Sequence, residues 1–132
     1  MTTVLFACVQ NAGRSQMAAA LFNAAADPAK ARAISAGTAP AQHVHPEVVT
    51  VMRELGIDLS AAVPQTLTAV LAHQAQWLIT MDCGDRCPVV PGAVRDDWPL
   101  ADPHGRSAEG VRAIREEIAG RVAGLIARNG WR

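Results

Sequence analysis

The chain has 132 residues, half of them hydrophobic, enough for one domain with a real core over residues 1–132. Twelve basic and twelve acidic residues are interspersed and the formal net charge is zero, so no basic field points to nucleic acid and no basic stripe to a membrane surface. No apolar stretch approaches the roughly 20 residues that span a bilayer, the N-terminus has no cationic leader, and three cysteines are an odd number for a disulfide framework. The expectation is a cytoplasmic protein with reactive or buried thiols and small polar ligands.

Thr3 to Ala7 is a short β-like run. Cys8-Val9-Gln10-Asn11-Ala12-Gly13-Arg14-Ser15 follows at once. Ser15 to Ala26, rich in Ala, Leu and Met, predicts a helix that Asp27-Pro28 stops. Arg32 to Ala36 predicts a second strand ending at Gly37. Pro46 suits the first position of a helix on which Val48, Met52 and Leu55 share a face, with Gly56 placed for a C-terminal cap. Leu67 to Gln74 predicts another short helix. Trp77 to Met81 reads as a buried strand, and Val94 centres a fourth between Pro91 and Trp98. Val111, Ile114, Ile118, Val122 and Leu125 line one side of a long last helix. Strands alternating with helices predict an α/β fold: three layers, a four-stranded parallel sheet with helices on both faces. Ligands of such sheets sit beyond the carboxyl ends of the strands, so the Cys8 loop, the Met81 to Cys87 segment and the loop before the last helix gather at one edge.

The Cys8 loop carries chemistry. A strand, an oxyanion-binding loop and a helix in succession place backbone N–H groups from Val9 to Arg14, and the positive end of a helix, around a bound anion. These groups and the Arg14 charge favour a nucleophilic thiolate at Cys8. Arg14 offers a planar fork to two oxygens of a tetrahedral anion, and Gly13 lets the backbone come close. The Ser15 hydroxyl donates to the sulfur or the leaving oxygen, or is a plain N-cap. Asn11 holds the loop through its side chain, or is an ordinary turn residue. With 11 Arg and four Ser in the chain, a Cys followed at this spacing by Arg-Ser arises by accident on the order of one time in a hundred.

Cys83 and Cys87 are a second constellation. Four residues apart, they share a helix face with Cα atoms about 6 Å apart, near the upper limit for a disulfide, so bridging needs a bend that Gly84 and Pro88 ease. Two buried small hydrophobes are one alternative; a zinc pair is another, but lacks a second well-spaced pair. Asp102, before Pro103, is the candidate general acid for an oxygen leaving a thiolate-bound centre, against the plain reading of an Asp-Pro turn. Asp96 and Asp97 rank below it. His43, His45, His73 and His104 form no ligand spacing and read as surface or capping residues, so no metal is expected.

Cys8 to Met17, Ser35-Ala36-Gly37-Thr38, His45 to Val49, Gly56-Ile57-Asp58, Cys83 to Pro88 and Asp102-Pro103 together resemble the arsenate reductases built on the low-molecular-weight tyrosine phosphatase fold, from about residue 3 to 128. The resemblance implies that Cys8 attacks arsenic of arsenate while Asp102 protonates the departing oxygen. It implies that Cys83 next attacks the Cys8 sulfur and releases arsenite. Cys87 then takes the disulfide to Cys83–Cys87, where thioredoxin reduces it. No bound cofactor is implied; phosphate and sulfate compete with arsenate, and a monomer is expected. Some similar proteins use a low-molecular-weight thiol instead, such as mycothiol with a mycoredoxin-like partner. Asp82 departs from the pattern: a small residue is expected before the first resolving cysteine, and Met81-Asp82 is reminiscent of the phosphatases. Two readings compete, a low-molecular-weight phosphatase and a non-catalytic oxyanion-binding regulator.

Overall fold

A computed structural model describes residues 1–82 and 90–132 of the chain. In chain order the elements are β1 (Thr2–Cys8), α1 (Arg14–Ala25), β2 (Ala31–Gly37), α2 (Pro46–Arg53), α3 (Ala69–His73), β3 (Trp77–Thr80), β4 (Val94–Asp97) and α4 (Ala108–Asn129). The four strands form one sheet in the order β2-β1-β3-β4, every pair parallel. This is the α/β sheet expected, with the Cys8 strand buried at its centre.

Side chains of a strand alternate between faces, and β1 shows what each face needs. Val4, Phe6 and Cys8 join the cluster built with α1, α2 and α4, while Leu5 and Ala7 join a smaller one with Ala72 of α3, Ala75 and Leu78. Among the described residues helices therefore lie on both faces, unequally: three on one side and the five-residue α3 on the other. On the thick side a run of rings ties the chain ends to the sheet. Phe6 meets Phe22 and Trp98, and Trp131 meets both Phe22 and Trp77, at centroid distances of 5.5 to 6.2 Å. Such tilted and edge-on contacts add to the area that the rings bury.

Helix ends follow local chemistry. Ser107 caps α4 by accepting from the Gly110 N–H, and Thr68 caps α3 in the same way. Both α2 and α4 close with a glycine at positive φ, Gly56 and Gly130, beyond which Ile57 N–H reaches Met52 O and Trp131 N–H reaches Ile126 O. Because α2 stops at Arg53, Leu55 does not extend the Val48–Met52 face; it is 46% exposed, against the expectation. Val94 opens β4 rather than centring it. That edge strand is exposed along its length, and its Arg95, Asp96 and Asp97 are charged, as suits an unpaired edge. No helix among the described residues is long and apolar enough to cross a membrane.

Candidate active site

Beyond the carboxyl end of β1 the chain turns through residues 9–13 and enters α1 at Arg14. The carbonyls from Cys8 to Ala12 are all held outward. Cys8 O accepts from Thr38 N, Val9 O from Ala39 N, Gln10 O from Ala41 N, Ala12 O from His45 N, and Asn11 O from the Gln16 side chain. A peptide whose C=O is held outward presents its N–H to the inside, so the loop becomes a nest of donors for an anion. Close packing against β2 makes this possible: a Cβ at Gly37 would lie 2.5 Å from Val9 O and 2.9 Å from Asn11 N.

Cys8 Sγ is buried and lies 2.8 Å from Ser15 Oγ, and the Asn11 N–H donates to it at 3.2 Å. Asn11 sets the direction of the serine proton. Its Oδ1 accepts from Gln65 N and Gln16 Nε2, which leaves Nδ2 to donate to Ser15 Oγ at 2.8 Å. With its oxygen already accepting, the Ser15 hydroxyl has its own proton to offer a thiolate at Cys8. Ser15 is thus not an N-cap: Gly13 holds that position, and Ser15 sits one step inside the helix. Asn11 does adopt a turn conformation, with φ of 50°, but it is fully buried and braces the loop from behind instead of lining the anion space.

A cavity of about 240 Å³ opens above the sulfur, lined by Cys8, Val9, Gln10, Ala12, Gly13, Arg14, His45 and Asp102. Arg14 is buried, and one nitrogen of its guanidinium, Nη1, donates to both Asp82 Oδ2 at 2.9 Å and Leu100 O at 2.7 Å. The remaining Nε–Nη2 edge is the fork that matches two oxygens of a tetrahedral anion. Asp82, at φ of 62°, takes a backbone conformation usual for glycine, which is where the sequence led one to expect a small residue.

Asp102 is exposed, and its Oδ1 accepts from the His104 N–H at 3.0 Å across a tight turn. Gly13 sets how close it comes, because a Cβ there would meet Pro103 Cγ at 2.7 Å. The rival carboxylates are engaged on the sheet edge: Asp97 Oδ1 accepts from Thr80 Oγ1, and Asp96 Oδ2 from the Trp98 indole. Neither lines the cavity.

His45 takes the N-cap position of α2 and His104 is exposed, in keeping with capping and surface residues, but the fold also brings the two together at the cavity. Their rings stack at 4.5 Å, and His45 forms part of the cavity wall. Burial pushes the His45 imidazole below its ordinary pKa and nearby His104 lowers it further, against the pull of Glu47 and Asp102. His45-Pro46 was visible in the sequence as a helix start, but only the fold brings it to the cavity. Cys83 and Cys87 lie outside the described residues.

Residues 3–129 match the model of the family described as low molecular weight phosphotyrosine protein phosphatase. The chain is 39% identical over 125 residues to a putative arsenate reductase of Halobacterium salinarum, an alignment covering 92% of this chain and 88% of that one. It is 34% identical to the glutaredoxin arsenate reductase of Synechocystis, covering 97% and 98% of the two chains. Among solved structures, the thioredoxin-dependent arsenate reductase of Corynebacterium glutamicum superposes with a TM-score of 0.84 at 40% identity, over 97% of this chain and 61% of that one.

Proposed function

The chain belongs to the low molecular weight phosphotyrosine protein phosphatase family, and from that premise we propose that it is an enzyme reducing arsenate to arsenite, with Cys8 as nucleophile and an external thiol system as electron source. The observation that carries this reading is the setting of the Cys8 sulfur. It lies between the Ser15 hydroxyl at 2.8 Å and the Asn11 N–H at 3.2 Å, in a cavity shared with Arg14 and Asp102. Two donors aimed at one sulfur stabilise its anion, and an anion-binding loop around it holds a tetrahedral oxyanion at bonding distance.

In the first step Cys8 forms a bond to arsenic, and the departing oxygen takes a proton from Asp102 and leaves as water. Arg14 balances charge on the remaining oxygens through its Nε–Nη2 edge. In the second step Cys83 attacks the Cys8 sulfur. The sulfur–arsenic bond breaks with its electron pair on arsenic, which leaves as arsenite, and the two thiols are joined as a disulfide. Cys87 then attacks Cys83, frees Cys8 and leaves a Cys83–Cys87 disulfide for an external dithiol to reduce. Reduction, and not ester hydrolysis, is favoured by the Cys83/Cys87 pair in the sequence and by the arsenate reductases among the relatives. An internal cysteine pair suits a dithiol protein of the thioredoxin class, and the Corynebacterium relative is thioredoxin-dependent.

The test is arsenite production from arsenate with thioredoxin, thioredoxin reductase and NADPH, run beside a mycothiol–mycoredoxin system and hydrolysis of an aryl phosphate. Turnover with thioredoxin is expected. Turnover with mycothiol alone would reassign the electron donor, and phosphate ester hydrolysis without arsenite would reassign the reaction.

A further inference from the structure

Three metal-ligating side chains from two separate stretches of chain meet at the rim of the Cys8 cavity. His45 precedes α2, Glu47 lies in its first turn, and His104 follows Asp102-Pro103 in the loop before α4. Each offers one donor atom, and these atoms lie within 4.8 Å of one another. We propose that His45, Glu47 and His104 form a binding site for a divalent cation of the zinc class, independent of which oxyanion the cavity turns over.

The frame for such a site is already built. Glu47 Oε1 accepts the Gly105 N–H at 3.2 Å and lies 3.9 Å from His104 Nδ1, so helix and loop are fastened to each other before any ion arrives. The imidazoles of His45 and His104 face one another at 4.5 Å. Gly105, at φ of 75°, turns the loop back towards the helix. Two imidazoles and one carboxylate are the donor set of open zinc sites, whose fourth position takes water or an anion. Bonds of about 2.0–2.2 Å place tetrahedral ligand atoms roughly 3.3 Å apart. The widest-spaced donors therefore close by up to about 1.5 Å, and His104, on the surface, has room to swing inward. A divalent ion takes the net charge of the three ligands from −1 to +1 beside a wall residue of an anion cavity. Bound metal then strengthens oxyanion binding, and bound oxyanion strengthens metal binding by the same factor.

The experiment uses the full chain carrying C8S, C83S and C87S, so that thiols cannot take the metal, titrated with Co²⁺ as a spectroscopic stand-in and with Zn²⁺ by calorimetry. One equivalent is expected, with the visible bands of a nitrogen–oxygen environment. Affinity should fall at least about tenfold in H104Q and in E47Q, with circular dichroism unchanged. Inorganic phosphate should bind at least about threefold more tightly with the metal present, by the same linkage. If the thiol-free chain does not fold, the wild-type chain is read in its place, where a thiolate-to-cobalt charge-transfer band without nitrogen–oxygen bands overturns the site. Absence of binding to the thiol-free chain overturns it, as does full affinity in H104Q. Unchanged phosphate affinity overturns its placement at the cavity rim.

Discussion

The two walls of the cavity are built in opposite ways. The Cys8 wall is eight consecutive residues, all buried but Val9 and Gln10, and its carbonyls from Cys8 to Ala12, its sulfur and its Ser15 hydroxyl are engaged in hydrogen bonds. The facing wall is drawn from distant points, His45 and Asp102, and stands partly or fully exposed. Asp82 and Leu100 each accept a hydrogen bond from Arg14 Nη1. The contrast separates two tasks: a thiolate nucleophile needs a fixed setting rich in donors to its charge, whereas a proton donor has to meet substrate and water. The first wall fixes geometry and the second adapts to what arrives.

Breaking the first wall should cost the most. Cys8→Ser leaves no soft nucleophile, and arsenite production measured with any reductant should fall to background, while phosphate still binds the loop. Breaking the second should cost less: Asp102→Asn should slow formation of the Cys8–arsenic adduct by roughly 10²- to 10⁴-fold in single-turnover experiments, the usual contribution of a general acid. Loss of the same size in phosphate binding would instead make Asp102 a binding group.

Gly13→Ala tests the seam between the walls. Its new methyl would meet Pro103 at 2.7 Å, and the acid loop must retreat. A displacement near 1 Å of a positioned group can cost about 10²-fold, so kcat should fall by up to that much with little change in KM. Ser15→Ala removes one donor to sulfur and one acceptor for Asn11; about tenfold slower alkylation of Cys8 near neutral pH is expected, from the strength of one hydrogen bond to a charged group. A larger loss with altered far-ultraviolet circular dichroism would make Ser15 a brace before a donor.

The smallest effect lies away from both walls. Hydrogen bonding from Arg112, and then from Arg115, holds the exposed Glu54 carboxyl at a pKa of about 2 against a reference of 4.5. A depressed carboxylate pKa gives stability that is present above the unfolded value and lost as pH falls through the folded one. The Tm of wild type should exceed that of Glu54→Gln at pH 7, and the gap should close as pH drops from about 4.5 to about 2.

What the sequence disclosed follows the same division. The strand, loop and helix around Cys8 were readable because every participant lies within one short run, and β1, α1 and β2 fell within one residue of their observed ends. The sheet order was not written anywhere locally, although its parallel character followed from the alternation of strand and helix. Ser15 was read in part as a cap because the residue type fits; the helix in fact begins one position earlier, at Arg14, with Gly13 before it. The histidines were dismissed on spacing, since 59 positions separate His45 from His104 and only packing of the acid loop on α2 closes that distance. Asp82 stood out as an odd residue before Cys83. Its engagement with Arg14 is a tertiary contact across 68 positions that no local pattern encodes.

The outward carbonyls of the Cys8 loop carry one more consequence, for how the protein is made. All the residues of the signature have left the ribosome's tunnel once the first helix is out. Yet four of the amides that turn those carbonyls away belong to Thr38, Ala39, Ala41 and His45. Until β2 has paired with β1 and the chain as far as His45 has docked, the nascent segment holds a cysteine and an arginine but no shaped receptor for an anion. A peptide ending at Ala26 should therefore bind phosphate no better than any short cationic peptide, whereas a fragment that contains β1, β2 and the start of α2 holds the four amides that turn those carbonyls away.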